Sequence, residues 1–117
     1  AYGLKRFRDL GMNPTEIRLT GGGSKSSVWR QIAADCFNAE VVTLSTSEGA
    51  ALGGAIQAAY AHGNQTGKVS YEQLCAKLVT LDESTRCKPN PENAAFYAVQ
   101  LEKQMELTGR LNQTGWL

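Results

Sequence analysis

Three consecutive glycines, Gly21, Gly22 and Gly23, constrain this chain more than any other feature. They follow Glu16-Ile17-Arg18-Leu19-Thr20, whose polar–apolar alternation predicts a short strand. They precede Val28, Trp29, Ile32, Ala33 and Cys36, whose spacing predicts a helix over 26–37. A loop without Cβ atoms between a strand and a helix lets a ligand approach the backbone. The helix start beyond it has unpaired N–H groups and the positive end of a dipole, which favours an anion. The alternative is a flexible turn in which Ser26 or Ser27 is simply the helix N-cap.

The pattern then repeats. Val41-Val42-Thr43-Leu44 predicts a second short strand, and an Ala- and Gly-rich helix begins near Gly49 and runs to about Ala61. Strand, helix, strand, helix is the order of an α/β fold with parallel strands. Upstream, residues 2–10 predict a helix stopped by Gly11, and Asn13-Pro14 a turn. Downstream, a short helix is expected over 71–78. Pro89 and Pro91 bracket a break, and Ala94, Tyr97, Ala98, Leu101 and Met105 stripe a last helix ending near Gly109. Trp29, Phe37 and Phe96 are expected in the core. Only two strands are legible. Two strands leave both sheet edges open, so the chain by itself is expected to form a homo-oligomer.

A length of 117 residues suits one domain. With 42% hydrophobic and 20% charged residues, a packed core is available and global disorder is excluded. A formal net charge of +1 points to no nucleic-acid partner. No apolar run approaches the roughly 18 residues of a membrane span. The chain opens on Ala1 and a charged helical run, as expected of a piece of something longer or of a processed N-terminus. Cys36, Cys75 and Cys87 show no CxxC spacing and are expected as free thiols in a reducing cytoplasm. The glycosylation triplets at Asn64 and Asn112 are read as chance matches.

The glycine loop is neither a P-loop nor a GxGxxG turn. The P-loop pattern needs its lysine directly after a glycine, whereas Ser24 separates Gly23 from Lys25. Lys25 is therefore read as a solvated charge or a peripheral phosphate contact. Gly49, Gly53 and Gly54 each cost a helix interior about 1 kcal/mol against alanine, and close approach of a neighbouring element would account for them. Glu48 stands where a carboxylate favours a helix start, and capping is the simpler role for it than catalysis. His62 is the only histidine, so no metal cluster and no Ser–His pair are expected. Nothing in their spacing pairs Asp35 with Glu48.

Ile17-Arg18-Leu19-Thr20-Gly21-Gly22-Gly23-Ser24-Lys25-Ser26, then Trp29-Arg30-Gln31-Ile32-Ala33-Ala34-Asp35, Val41, and Glu48-Gly49-Ala50-Ala51-Leu52-Gly53-Gly54-Ala55 resemble the C-terminal domain of FGGY carbohydrate kinases. Within that family the wording is most similar to the xylulokinases. The resemblance implies an actin-like ATPase of two ribonuclease-H-like lobes with ATP and Mg²⁺ in the cleft between them. This chain, 1–117, would be the C-terminal ATP-binding portion of the second lobe, with the core motif over 16–61 and a helical tail over 91–110. By the same resemblance, Gly21, Gly22 and Gly23 run beneath the nucleotide and Ser26 lies at the adenine edge. Gly49 to Gly53 would wall the adenine pocket. The first phosphate loop, the sugar-binding residues and the aspartate base would lie elsewhere in the enzyme, so the chain alone would be inactive on a pentulose such as D-xylulose.

Two other classes compete. A small Rossmann-like module for a flavin or nicotinamide nucleotide needs an acid about 20 residues after its loop, at the end of a second strand. Glu40 has that distance but is expected before the strand. A structural or assembly domain would use the Gly-Ala helix and the last helix as an interface.

Overall fold

The computed structural model describes residues 2–64 and 69–116. Helix α1 (Tyr2–Asp9) ends where Gly11 turns to φ +86°, and the Met12 N–H closes the turn on the Phe7 carbonyl at 3.0 Å. Strand β1 (Glu16–Leu19) follows the Asn13-Pro14 turn. A single 3₁₀ turn (Gly22–Lys25) leads into α2 (Ser27–Phe37), which ends as Asn38 enters the left-handed region. Strand β2 (Glu40–Leu44) then pairs in parallel with β1, Ile17 opposite Val41 and Leu19 opposite Thr43. Helix α3 (Gly49–Asn64) and α4 (Tyr71–Leu78) are joined face to face by stacked Tyr60 and Tyr71 rings, 3.8 Å apart. The Ser70–Gln73 capping box fixes the start of α4.

The two expected strands pair in parallel as expected, but the expectation that there are only two is corrected here. Leu81–Cys87 forms β3, antiparallel to β2, and the sheet order is β1-β2-β3. Its sequence, Leu-Asp-Glu-Ser-Thr-Arg-Cys, has no apolar alternation because little of it enters the core. Polar contacts hold it instead. Thr85 Oγ1 accepts the Thr43 N–H at 3.0 Å where the β2–β3 register shifts, so a side chain replaces a ladder bond. Arg86 reaches across the sheet to Glu16 at 2.9 Å and Glu40 at 3.1 Å, and also holds Glu83. These contacts keep the Glu16 and Glu83 carboxyls below the usual range and raise the guanidinium's own value.

Strand β2 is the centre of the molecule: Val41 and Val42, on opposite faces, are both fully buried. Among the described residues the remaining apolar core is small, made of Ala34, Ala39, Ile56 and Ala94. Helix α5 (Pro91–Gln113) starts with Pro91 behind the Asn90 N-cap and packs on α2. Asp35 joins the two: its buried carboxylate accepts from Gln31 Nε2, the Asn90 N–H and Asn93 Nδ2, all within 2.9 Å.

The expected core places for Trp29 and Phe96 are also corrected. Trp29 is 61% exposed and Phe96 57%. The covered face of α2 is that of Ala34 and Asp35, and Trp29 lies about 140° around the helix from Ala34. Phe37 is half-buried beside Leu4, Phe7 and Ile17. Cys36, Cys75 and Cys87 are free thiols, and burial pushes the Cys36 thiol up. The first glycosylation triplet runs into residues outside those described; the second lies at the end of α5. Among the described residues no helix is long and apolar enough to cross a membrane.

Candidate functional site

Parallel pairing brings the C-terminal ends of β1 and β2 side by side, so the loops that leave them meet. The contact is specific. Thr20 Oγ1 donates to the Ser47 carbonyl at 3.5 Å, and a Cβ on Gly49 would lie 2.8 Å from Thr20 Oγ1. Close approach therefore accounts for Gly49. It does not account for Gly53 or Gly54, where an added Cβ would meet nothing within 4 Å. The packing expectation for those two is corrected: that stretch of α3 is open.

The three glycines of the loop differ from one another. Gly21 has φ +85° and ψ −173°, a region that is essentially glycine's alone. Gly22 and Gly23 lie in the 3₁₀ turn without positive φ and with open space where a Cβ would stand. All three are exposed, so loop backbone lies at the surface between a strand end and a helix start. Ser26 caps α2, its hydroxyl oxygen accepting the Trp29 N–H at 3.4 Å. The capping alternative is thus observed, and the hydroxyl keeps a proton to donate.

Two residues that the sequence pattern did not single out hold this loop. Ser24 is buried, and its hydroxyl donates to the Gly21 carbonyl at 2.7 Å. Arg30 Nη1 donates to the Ser24 carbonyl at 2.8 Å. One signal for Arg30 was available: a cation in the first turn of a helix that has no acid there runs against the dipole. A surface hollow opens between Ser24, Lys25 and Arg30 on one side and Ser47, Asp82 and Thr85 on the other. A wider hollow, lined by Arg8, Thr15, Asn38, Glu40 and Lys88, is at the opposite ends of the strands and holds none of the expected site residues.

Glu48 caps α3 by its carbonyl, which accepts the Leu52 N–H at 2.9 Å, while its carboxylate accepts the Ser47 hydroxyl. Glu40 is the first residue of β2 rather than a residue before it, and is tied to Arg86. It stands at the wrong end of that strand to meet a ribose as a Rossmann acid does. Among the described residues no group of three or more His, Cys, Asp or Glu could hold a metal.

Residues 1–62 match the FGGY family of carbohydrate kinases, C-terminal domain. Xylulose kinase of Haemophilus influenzae is 45% identical over 104 residues, covering 89% of this chain and 20% of that protein. The ligand-bound xylulose kinase of Lactobacillus acidophilus superposes with a TM-score of 0.72 at 27% identity, covering 86% of this chain and 19% of that one. Gluconate kinase from the same organism superposes with a TM-score of 0.71, also at 27% identity and with the same coverage. The chain thus spans about a fifth of the length of these relatives. Its sheet and helices are the C-terminal part of an actin-like ATPase lobe of the ribonuclease-H-like kind. By its motifs, its fold and its match over more than half its length, the chain belongs to the FGGY family of carbohydrate kinases.

Proposed function

We propose that the chain is the nucleotide-binding C-terminal portion of an ATP-dependent kinase that phosphorylates a pentulose such as D-xylulose. The observation that carries this reading is the meeting of two strand-end loops at Thr20, Ser47 and Gly49, beside a glycine turn that no Cβ obstructs. Gly21 bends the chain, Gly22 and Gly23 leave room for a nucleotide, and Ser26 donates at its edge. One turn along α3 from Gly49, which Thr20 covers, Gly53 offers an open wall. The pentulose assignment rests on the xylulose kinase relatives, and it is the finer part of the proposal because a gluconate kinase superposes equally well.

Phosphoryl transfer depends on positioning both substrates and on stabilising charge. Mg²⁺ would neutralise phosphate oxygens and, on this reading, is held mainly by the rest of the enzyme. On the same reading the sugar-binding residues and the base that takes the sugar hydroxyl's proton lie elsewhere in the enzyme. The chain alone should therefore show no xylulose-dependent ATP hydrolysis. Three free thiols fit a cytoplasmic protein.

Gly22→Val tests the loop. A Cβ at Gly22 would meet nothing within 4 Å and the residue has no positive φ, so a side chain there extends into the space proposed for the ligand. In the kinase that carries this chain, ATP binding should weaken by about tenfold or more, roughly 1.4 kcal/mol, with sugar binding unchanged. Unchanged ATP affinity in the folded variant would remove the loop from the nucleotide site. Parallel titrations with ATP and NAD separate this reading from a dinucleotide-binding module.

A further inference from the structure

Arg30 Nε is buried and has no hydrogen-bond partner, the one such side-chain atom among the described residues. The residue is otherwise committed. As the fourth residue of α2 it reaches back past the helix start and donates from Nη1 to the Ser24 carbonyl at 2.8 Å. Ser24 in turn grips the Gly21 carbonyl twice, from its hydroxyl at 2.7 Å and from its N–H at 3.1 Å. A continuous run of bonds therefore links the first turn of α2 to the glycine-only bend.

The stability of α2 does not explain this arrangement. The helix is capped by Ser26, and a guanidinium beside its N-terminus opposes the dipole. A desolvated N–H without an acceptor is unfavourable as well. Both features have a use if the loop must hold one shape and meet an anion. The carbonyl that Arg30 holds belongs to the 3₁₀ turn itself, next to Lys25. Without that tether, a turn containing two open glycines has many conformations available to it.

We propose that Arg30 is a positioning residue of the nucleotide site. Through the Ser24 carbonyl it fixes the curvature of the 21–25 turn, and its charge biases that turn toward a phosphate-bearing ligand. This rests on the assignment of the loop to the nucleotide. The preordering acts equally on bound nucleotide and on the transition state, so its loss raises KM for ATP rather than lowering kcat.

The test compares Arg30→Met, Arg30→Lys, Ser24→Ala and Gly22→Val in the kinase that contains this chain. Arg30→Met should raise KM for ATP about tenfold, with kcat and the sugar KM within about twofold of wild type. Arg30→Lys keeps the charge but not the planar fork and should recover part of the loss. A rise for Gly22→Val with none for Arg30→Met overturns the role of Arg30 alone. Unchanged ATP KM in both removes the loop from the nucleotide site. A general loss, in which kcat and sugar KM deteriorate together with ATP KM, makes Arg30 a fold residue and also overturns the proposal. Should Arg30→Met yield no folded protein, Ser24→Ala probes only the neighbouring link. That variant loses the hydroxyl bond to the Gly21 carbonyl but keeps the N–H bond and the Arg30 contact, so Arg30→Gln is measured beside it: it removes the charge and the reach to the Ser24 carbonyl, and an unchanged ATP KM there overturns the proposal.

Discussion

Gly49 and Gly53 lie one helical turn apart on α3, yet alanine should act oppositely at the two positions. At Gly49 the new Cβ would lie 2.8 Å from Thr20 Oγ1 and 3.5 Å from its Cβ and Cγ2, so the hydroxyl must move. Thr20 is β-branched and stiff about χ1, and its hydroxyl contributes the Ser47 contact. Overpacking of this kind costs about 1–3 kcal/mol. Helix propensity returns somewhat under 1 kcal/mol at a first-turn position. Gly49→Ala should therefore destabilise the protein by about 1 kcal/mol. At Gly53 nothing lies within 4 Å, so Gly53→Ala should stabilise by about 0.4–1 kcal/mol through helix propensity and a restricted unfolded chain. Urea unfolding of the two variants gives both signs. Thr20→Ala should rescue Gly49→Ala, with a coupling of about 1 kcal/mol in the double-mutant cycle. The same Gly53→Ala protein should bind ATP more weakly if the open wall faces the nucleotide. A Gly49→Ala variant more stable than wild type, additive with Thr20→Ala, would refute the close-approach argument.

Asp35→Asn should destabilise by about 1–3 kcal/mol at neutral pH, since an amide cannot accept all three donors. Burial pushes the Asp35 carboxyl up, and hydrogen bonds from Asn90, Asn93 and Gln31 outweigh it and leave it lowered. Its contribution is thus complete above the unfolded value of about 3.9 and is lost as pH falls through the folded value. Acid unfolding curves of wild type and variant should converge in that window. Arg86→Met should let the Glu16 and Glu83 carboxyls titrate nearer to about 4.3, and NMR titration without that rise would refute the charge cluster. The 117-residue chain alone should self-associate at micromolar concentration through the outer edge of β1 and exposed Trp29. A monomer in light scattering would refute this.

The bounds of α2, β2 and α4 were legible to within a residue or two: β2 through its run of buried residues, α2 and α4 through the capping serines Ser26 and Ser70 at their starts. Strand β3 was not legible, because an edge strand held by Thr85 and Arg86 carries polar residues where a buried strand would carry Val or Ile. The aromatic residues misled for a related reason. A core built around Ala34, Val41 and Val42 is thin, and Trp29 and Phe96 fall outside it. At the site, three consecutive glycines marked the loop, yet only coordinates distinguish Gly21, which the backbone requires, from Gly22, which it does not. Ser24 and Arg30 act through bonds to carbonyls, and of the two only Arg30, a cation placed against the dipole of α2, left a trace in the sequence.

The reversal at β3 also divides the molecule into two ends. β1 and β2 deliver the chain to the glycine loop and the start of α3, whereas β3 carries it back toward Glu40 and Pro89. From there α5 leaves, anchored at its first turn by Asp35 and joined near its far end by the Tyr2–Thr108 hydrogen bond. The long helix is thus a handle mounted away from the loops. A fluorophore or affinity tag on its exposed face, at Glu102 or Lys103, would follow unfolding without entering the loop surface.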